Sequence, residues 1–221
     1  HLYNLDISMF ETTSCKDMHN MFSKCTSLTN LNLAKFDTSN VNNMANMFSE
    51  CVKLTSIDIS GLKTENVQYM NNMFSNCQSL ISINVSNFDT KNVNDMSFMF
   101  YNCLSLTSID VSSFDTRNAY TIYNMFTDCM SLESINISNF DTKKINDMSN
   151  MFSNCKSLTS IDISNIDTSR VTDMKEMFLN CISLPSIDLS NFKTNDVKSM
   201  RNMFLNCSHL TSIDISNFVT T

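Results

Sequence analysis

The 221-residue sequence has little of the usual chemistry of turns, since it contains one glycine, one proline and no tryptophan. A globular domain of this length usually carries roughly fifteen glycines and about eleven prolines. Collagen-like, proline-rich and glycine-linker classes are therefore excluded. Glycine-rich phosphate-binding loops are excluded too, because no segment offers two glycines. The sequence also lacks an apolar run near the roughly 18 residues that a membrane span requires.

Positive charge is also scarce, because 15 Lys and Arg stand against 22 Asp and Glu, for a net charge of −7 at pH 7. A chain this acidic would release few counterions from phosphates, so the sequence predicts no nucleic-acid or anionic-membrane partner. The missing apolar run predicts no direct membrane insertion in this segment. A signal peptide is not recognisable. Because the chain opens on His1 in mid-pattern, we expect it to be a segment of a longer protein.

A repeat of 26 residues fills the chain. The motif Met-Phe-x-x-Cys begins at positions 21, 47, 73, 99, 125, 151, 177 and 203, with no insertion between units. Residues 1–221 are therefore predicted to form one repeat domain of about 8.5 coils, a half-unit at 1–12 followed by eight full units. Because the fixed spacing leaves no room for a catalytic insertion, we predict that the protein is not an enzyme.

Hydrophobic spacing changes part-way through each unit. Between 145 and 158 apolar residues recur every three or four positions, which favours short helical turns, and between 161 and 166 they begin to alternate, which favours a strand. Units stacked in register would bury one continuous core, with parallel strands about 4.8 Å apart. The predicted fold is an α/β repeat solenoid with one parallel β-sheet on the concave side and short helical turns on the other.

The strand portion L-x-x-I-x-I-x-x-F resembles the strand segment of a leucine-rich repeat. The longer pattern V-x-D-M-x-x-M-F-x-x-C-x-S-L-T-S-I-D-x-S-x-F-D-T resembles the 26-residue repeat of BspA-like bacterial surface proteins, a group that includes mycoplasma surface lipoproteins. The resemblance covers the whole chain. It implies a leucine-rich-repeat solenoid from a cell-surface or secreted protein that binds other molecules, with no cofactor and no catalytic residues.

Cysteine and threonine each form a file at the repeat period, and we interpret both files as structural. C-x-x-C pairs do not occur, and stacked Cβ vectors would run parallel, so the sequence favours buried reduced thiols over zinc or disulfides. The threonines are predicted to be turn hydroxyls that bond to nearby backbone. The cysteine file comprises Cys25, Cys51, Cys77, Cys103, Cys129, Cys155, Cys181 and Cys207, and the threonine file comprises Thr12, Thr38, Thr64, Thr90, Thr116, Thr142, Thr168, Thr194 and Thr220.

The first candidate binding surface is the row of outward residues on the predicted strands. Its members are Asp58, Asn84, Asp110, Asn136, Asp162, Asp188 and Asp214. An acidic, amide-rich trough flanked by serines suits a basic protein segment or a polyhydroxylated glycan. Two alternatives stay open: short polar residues suit a tight parallel sheet in any case, and the consecutive carboxylates of Asp162, Asp188 and Asp214 could hold Ca²⁺.

The second candidate surface is an aromatic patch where the repeat loses its regularity. Aromatic side chains there replace residues that are small or polar in most other units, and a cluster of exposed aromatics is typical of protein interfaces. Drift at tolerant surface positions is the alternative. The patch consists of Tyr69, Phe98, Tyr101, Tyr120 and Tyr123.

Two functions fit these features. The leading hypothesis is a non-enzymatic recognition or adhesion module that binds a protein or glycan on a host or matrix surface through repeated contacts. The alternative is a stalk or filament subunit that self-associates end to end, because neither end of the sequence carries a polar capping unit.

Overall fold

Short parallel strands mark one side of the stacked repeats. The computed structural model describes residues 7, 9–33 and 35–219, so residues 1–6 and 8 of the predicted half-unit, and Thr220, lie outside the described residues. The strands are β1 (Ser134–Asn136), β2 (Ser160–Asp162), β3 (Ser186–Ile187) and β4 (Ser212–Ile213). Strand β1 pairs with β2 and β3 pairs with β4, both in parallel. The predicted parallel pairing of equivalent residues is confirmed.

Within the described residues, the single sheet predicted from the sequence is instead two sheets of two strands, with an isolated parallel bridge between Asn32 and Asp58. Hydrogen bonds from side chains explain why the strands stay short. The backbone N–H of Ser138 donates to Asn136 Oδ1 at 2.9 Å, so this donor is not available to a neighbouring coil. A side chain therefore ends the ladder after two or three residues.

A second line of parallel contacts runs through seven successive bridges elsewhere on the coil. It joins Asp17, Asn43, Tyr69, Asp95, Thr121, Asp147, Asp173 and Ser199, each paired with the residue 26 positions on. These residues occupy the aspartate position of the V-x-D-M segment. This line therefore also ties the coils together, in addition to the strand line that was predicted.

The helical turns predicted for the M-x-x-M-F-x-x-C segment are wrong, because no helix occurs among the described residues. Two consecutive turns form instead: Met151 N–H donates to Met148 O at 3.4 Å, and Cys155 N–H donates to Phe152 O at 3.2 Å. The apolar residues stand at the first and last positions of two adjoining four-residue turns, so their spacing along the chain is 3, 1 and 3. The same spacing is expected for one face of a helix, and hydrophobic periodicity alone therefore cannot distinguish the two structures.

Left-handed backbone in each turn prevents a helix from forming. The third residue of each turn has positive φ, as at Asn150 (56°) and Asn154 (62°), and type II turns need this conformation there. Asparagine tolerates it better than most residues, which explains how the chain turns without glycine. Alternate N–H groups then point along the stack, so that Asn150 donates to Lys175 O at 2.9 Å and Phe152 donates to Met177 O at 2.9 Å.

The core consists of side-chain files that extend along the stack. Eight phenylalanines of the Met-Phe motif, from Phe22 to Phe204, stack with ring centroids 5.4–5.7 Å apart and planes within 9° of parallel. The interior methionines beside them, from Met47 to Met177, are at most 1% exposed. The core is therefore one continuous cluster, as the ladder pattern predicts.

All nine cysteines are free thiols, and the six from Cys51 to Cys181 are buried. Each of these six, and Cys207, donates its thiol hydrogen to the carbonyl oxygen of a phenylalanine 29 residues earlier, at 3.1–3.3 Å. The prediction of a buried thiol file is confirmed for this part of the chain. The thiols are also hydrogen-bond donors, a role that the sequence did not suggest.

Candidate functional site

The outward residues of the predicted strands, which we call the strand-face row, are exposed, and their side chains accept hydrogen bonds that close turns. The Oδ1 atoms of Asp58, Asp110, Asp162, Asp188 and Asp214 accept the backbone N–H of the serine two residues later at 2.9–3.1 Å. Asn84 and Asn136 accept the same bond at 3.0 and 2.9 Å. Because either side chain offers the required oxygen, aspartate and asparagine are interchangeable in this turn.

These serine hydrogen bonds favour the ionised carboxylate. The side-chain and backbone bonds from Ser60 lower the pKa of Asp58, and the equivalent serines lower the pKa of Asp110, Asp162, Asp188 and Asp214. The row therefore stays negative at neutral pH. Within the described part of the chain, no group of three or more Asp, Glu, His or Cys side chains is arranged to hold a metal ion.

Acids just beyond the strands are neutralised locally. Lys91 Nζ lies 2.7 Å from an Asp89 carboxylate oxygen, and an Arg117 guanidinium nitrogen lies 2.7 Å from one of Asp115. Lys63 pairs with Asp37 across coils at 3.3 Å. The unbalanced negative charge on this side therefore belongs mainly to the strand-face row.

The structure brings together three of the five predicted aromatic residues. Phe98 meets Tyr101 edge to face at 5.4 Å between ring centroids, and it meets Tyr123 edge to face at 4.8 Å. All three side chains are half-buried. We call Phe98, Tyr101 and Tyr123 the aromatic cluster. The remaining residues of the predicted patch, Tyr69 and Tyr120, make no ring contact with it and are 41% and 48% exposed.

Phe98 has an unfavourable backbone conformation. Its φ is +56°, in the left-handed region where bulky side chains are uncommon. Six of the seven equivalent positions in the other repeats, including Asn72 and Asn124, carry asparagine with nearly the same φ. Strain of roughly 1 kcal/mol or more is characteristic of positions where another role constrains the residue. The sequence shows the replacement of asparagine, but only the fold shows that it is strained.

A cleft lined by amide side chains adjoins Tyr120, and it was not predicted from the sequence. It has a volume of about 370 Å³ and is lined by Asn66, Gln68, Asn92, Asn94 and Asn118. The signal that could have revealed it is the pair of asparagine and glutamine positions on either side of buried Val67 and Val93. Residues that flank a buried position point to the same outer side of an extended segment.

The sequence matches one family along its entire length. The profile described as "Mycoplasma protein of unknown function, DUF285" matches residues 1–103, 49–160 and 121–221. The chain belongs to the DUF285 family. The overlapping matches follow the repeat, and the predicted resemblance to the 26-residue repeat of bacterial surface proteins is confirmed. No curated protein matches this DUF285 chain.

Solved structures establish the fold of this DUF285 chain. A leucine-rich-repeat protein from T. pallidum is similar at a TM-score of 0.52 and 20% identity over 82% of this chain and 77% of that one. A leucine-rich-repeat protein from Eubacterium ventriosum has a TM-score of 0.48 and 19% identity over 86% of this chain. The DUF285 chain spans 43% of that second protein. The leucine-rich-repeat solenoid predicted from the sequence is confirmed.

A third similar structure is an internalin from Listeria monocytogenes, with a TM-score of 0.40 and 21% identity over 86% of this chain and 54% of that one. Among the described residues of the DUF285 chain, no helix has the length and apolar character that a membrane crossing needs.

Proposed function

We propose that this DUF285 chain is a non-enzymatic recognition module of a bacterial cell surface that binds a protein partner through the aromatic cluster. The observation that carries the proposal is Phe98, a bulky residue in left-handed backbone where most other repeats have asparagine. The similarity of the chain's fold to that of a bacterial leucine-rich-repeat protein supports a surface location. The repeated Asp, Ser and Thr side chains have structural bonds, which supports a role in binding over one in catalysis.

Aromatic side chains that are half-exposed and held in place make effective anchors. The two edge-to-face contacts fix the ring of Phe98 between Tyr101 and Tyr123, so little conformational entropy remains to be lost on binding. Tyrosine and phenylalanine are enriched in the centres of protein interfaces, where they combine large apolar area with few rotatable bonds. The aromatic cluster thus has the composition of an interface centre.

The strand-face row is proposed as a secondary surface that supplies electrostatic complementarity. Its five exposed carboxylates, from Asp58 to Asp214, are ionised and have serine hydroxyl groups on either side. A basic segment of the same partner would be attracted to this row, and the attraction would weaken with salt. The row contributes to the rate and orientation of binding, whereas the aromatic cluster contributes most of the affinity.

A double variant tests the aromatic cluster. Phe98→Asn with Tyr123→Ser restores residues that other repeats carry at these positions, so we expect the free energy of unfolding to change by about 1 kcal/mol at most. Binding should weaken by roughly tenfold or more because two interface anchors are removed. The measurement is capture of proteins from host plasma and epithelial surface extracts on immobilised wild type, followed by affinity determination for each captured protein with both forms.

The matched control is Ile81→Thr, which removes an exposed apolar side chain outside the aromatic cluster, 54% exposed, and restores the threonine of other repeats. It should leave the affinity unchanged. If the double variant retains the affinity of the wild type for every captured protein, the proposed function is wrong.

A second function, end-to-end association of solenoids, is favoured by an apolar cleft on the last described repeat. The cleft has a volume of about 450 Å³, and the residues that line it include Met203, Phe204 and Phe218. Nearby Leu205 and Ile215 are 48% and 50% exposed. We propose this face as a contact for another solenoid repeat. Light scattering should show a mass that rises with concentration and that returns to the monomer value in Ile215→Lys. A constant monomer mass in the wild type would exclude self-association.

A further inference from the structure

The cleft lined by amide side chains differs chemically from the aromatic cluster. The amide cleft, formed by Asn66, Gln68, Asn92, Asn94 and Asn118, spans three consecutive repeats. Its volume of about 370 Å³ falls within the range of approximately 300–1,000 Å³ that is usual for ligand sites. We propose that the amide cleft binds a neutral oligosaccharide.

The backbone holds one row of the amides in a fixed orientation. The Nδ2 atom of Asn92 donates to the carbonyl oxygen of Glu65 in the preceding repeat at 2.8 Å. Asn66 and Asn118 make the equivalent bonds at 2.7 Å. Each of these amides keeps a second N–H for a ligand. The cleft therefore presents a row of preorganised polar groups, which reduces the entropy that ordering them on binding would cost.

The second row of amides has hydrogen-bonding capacity that the protein itself does not use. The side-chain amides of Gln68 and Asn94 make no hydrogen bond to another residue in the described part of the chain. Each offers one acceptor oxygen and two donor hydrogens. Sugar hydroxyl groups both donate and accept, so a row of amides matches them without any requirement for charge.

Tyr120 provides an apolar surface at the end of this second row. Its position follows those of Gln68 and Asn94 in successive repeats, and its backbone N–H donates to Asn94 O at 3.0 Å. Its side chain is 48% exposed. An exposed tyrosine ring can pack against the C–H face of a pyranose while its hydroxyl bonds to a sugar oxygen. Burial, with Asp95 nearby, raises the pKa of Tyr120, so this hydroxyl remains a donor at neutral pH.

Charge at the amide cleft favours a neutral ligand. All five residues that line it are uncharged amides. At one edge, Lys144 donates its Nζ hydrogen to Asn118 Oδ1 at 2.7 Å. An anionic ligand would need several cationic side chains in the cleft, and a cationic ligand would need anionic ones. A neutral ligand therefore fits the amide cleft better than a charged one.

The test measures binding of unbranched neutral hexasaccharides of glucose (α-1,4 and β-1,4) and of N-acetylglucosamine. Saturation-transfer NMR identifies the sugar that binds, and calorimetry gives its affinity. We expect at least one hexasaccharide to bind the wild type saturably. Both Gln68→Ala/Asn94→Ala and Tyr120→Ala should weaken it by about tenfold or more, because each loses hydrogen bonds or ring contact.

The control variant is Asn146→Ala, which removes an amide from the same file on the far side of Tyr120 and should change the affinity by less than about twofold. The Phe98→Asn/Tyr123→Ser variant should also bind the sugar normally, so this inference and the proposed function can fail separately. Lack of saturable binding at about 10 mM of every hexasaccharide would overturn the inference. So would equal binding by Gln68→Ala/Asn94→Ala, or binding of a neutral Ser/Asn-rich dodecapeptide in place of every sugar.

Discussion

Unfolding of the solenoid between about pH 9 and pH 11 is the largest effect that we expect. Six thiols, from Cys51 to Cys181, are completely buried in the core. Burial raises the pKa of Cys51 and of Cys129 to about 12, and it raises the pKa of Cys103 and Cys155 well above the ordinary value. A thiol exposed by unfolding ionises near pH 8.5.

The direction of the effect follows from proton binding. Above about pH 9 the unfolded chain has lost thiol protons that the folded chain retains, so the folded state becomes less stable as the pH rises toward its own raised pKa values. Each thiol lowers the free energy of unfolding by roughly 1.4 kcal/mol per pH unit in this window, and six lower it by about 8 kcal/mol per pH unit. That is comparable with the total stability of a typical domain, about 5–15 kcal/mol.

Urea unfolding followed by circular dichroism, under reducing conditions at pH 7 to 10, measures this dependence. The midpoint should be nearly constant up to pH 8 and should fall steeply above pH 9. The double variant Cys103→Val/Cys129→Val has four buried thiols in place of six, so its slope should be about one third smaller whatever its stability at pH 7. A wild-type midpoint that does not change up to pH 10 would contradict the prediction.

Loss of one threonine hydroxyl from the interior of the stack should destabilise the fold by about 2–4 kcal/mol. Thr142 is 1% exposed, and its Oγ1 both donates to Asp167 O at 2.9 Å and accepts from Asp167 N–H at 2.8 Å. Thr142→Val keeps the shape and removes both bonds. It leaves a backbone donor and a backbone acceptor of the next coil without their partner, and each such group is costly to bury.

Thr142→Ser is the matched control, because it retains the hydroxyl and loses only a methyl group. Its loss of stability should be about 1 kcal/mol, well below that of the valine variant. Chemical denaturation at pH 7 gives both values. If valine and serine destabilise the protein equally, the hydroxyl bonds between coils do not contribute as described.

The aromatic cluster could be predicted only in part from the sequence. The sequence identified Phe98, Tyr101 and Tyr123 by their departure from the repeat, and the fold joins these three in one cluster. It also grouped Tyr120 with them, whereas the structure sets that residue beside the amide cleft without a ring contact to the cluster. Which outward residues touch depends on the path of the turns, and composition contains no information about that path.

The sequence by itself determined the repeat, the files of core side chains and the parallel stacking. A strict 26-residue period makes every coil pack on a near-copy of itself, so equivalent residues must lie above one another. The scarcity of glycine and proline has its explanation in the same residues: aspartate and asparagine side chains close turns such as Asp162 to Ser164, and asparagine adopts the left-handed positions.

Only the tertiary structure decided where the backbone hydrogen bonds go. The spacing of Met148, Met151, Phe152 and Cys155 predicts helical turns, but the N–H groups of this segment bond partly within tight turns and partly to the next coil. The sequence predicted that the threonine hydroxyls bond to nearby backbone. The hydroxyl of Thr142 bonds instead to the backbone of a residue 25 positions away. Local patterns record which side chains are buried, whereas the partner of a backbone group on the neighbouring coil exists only after the coils have stacked.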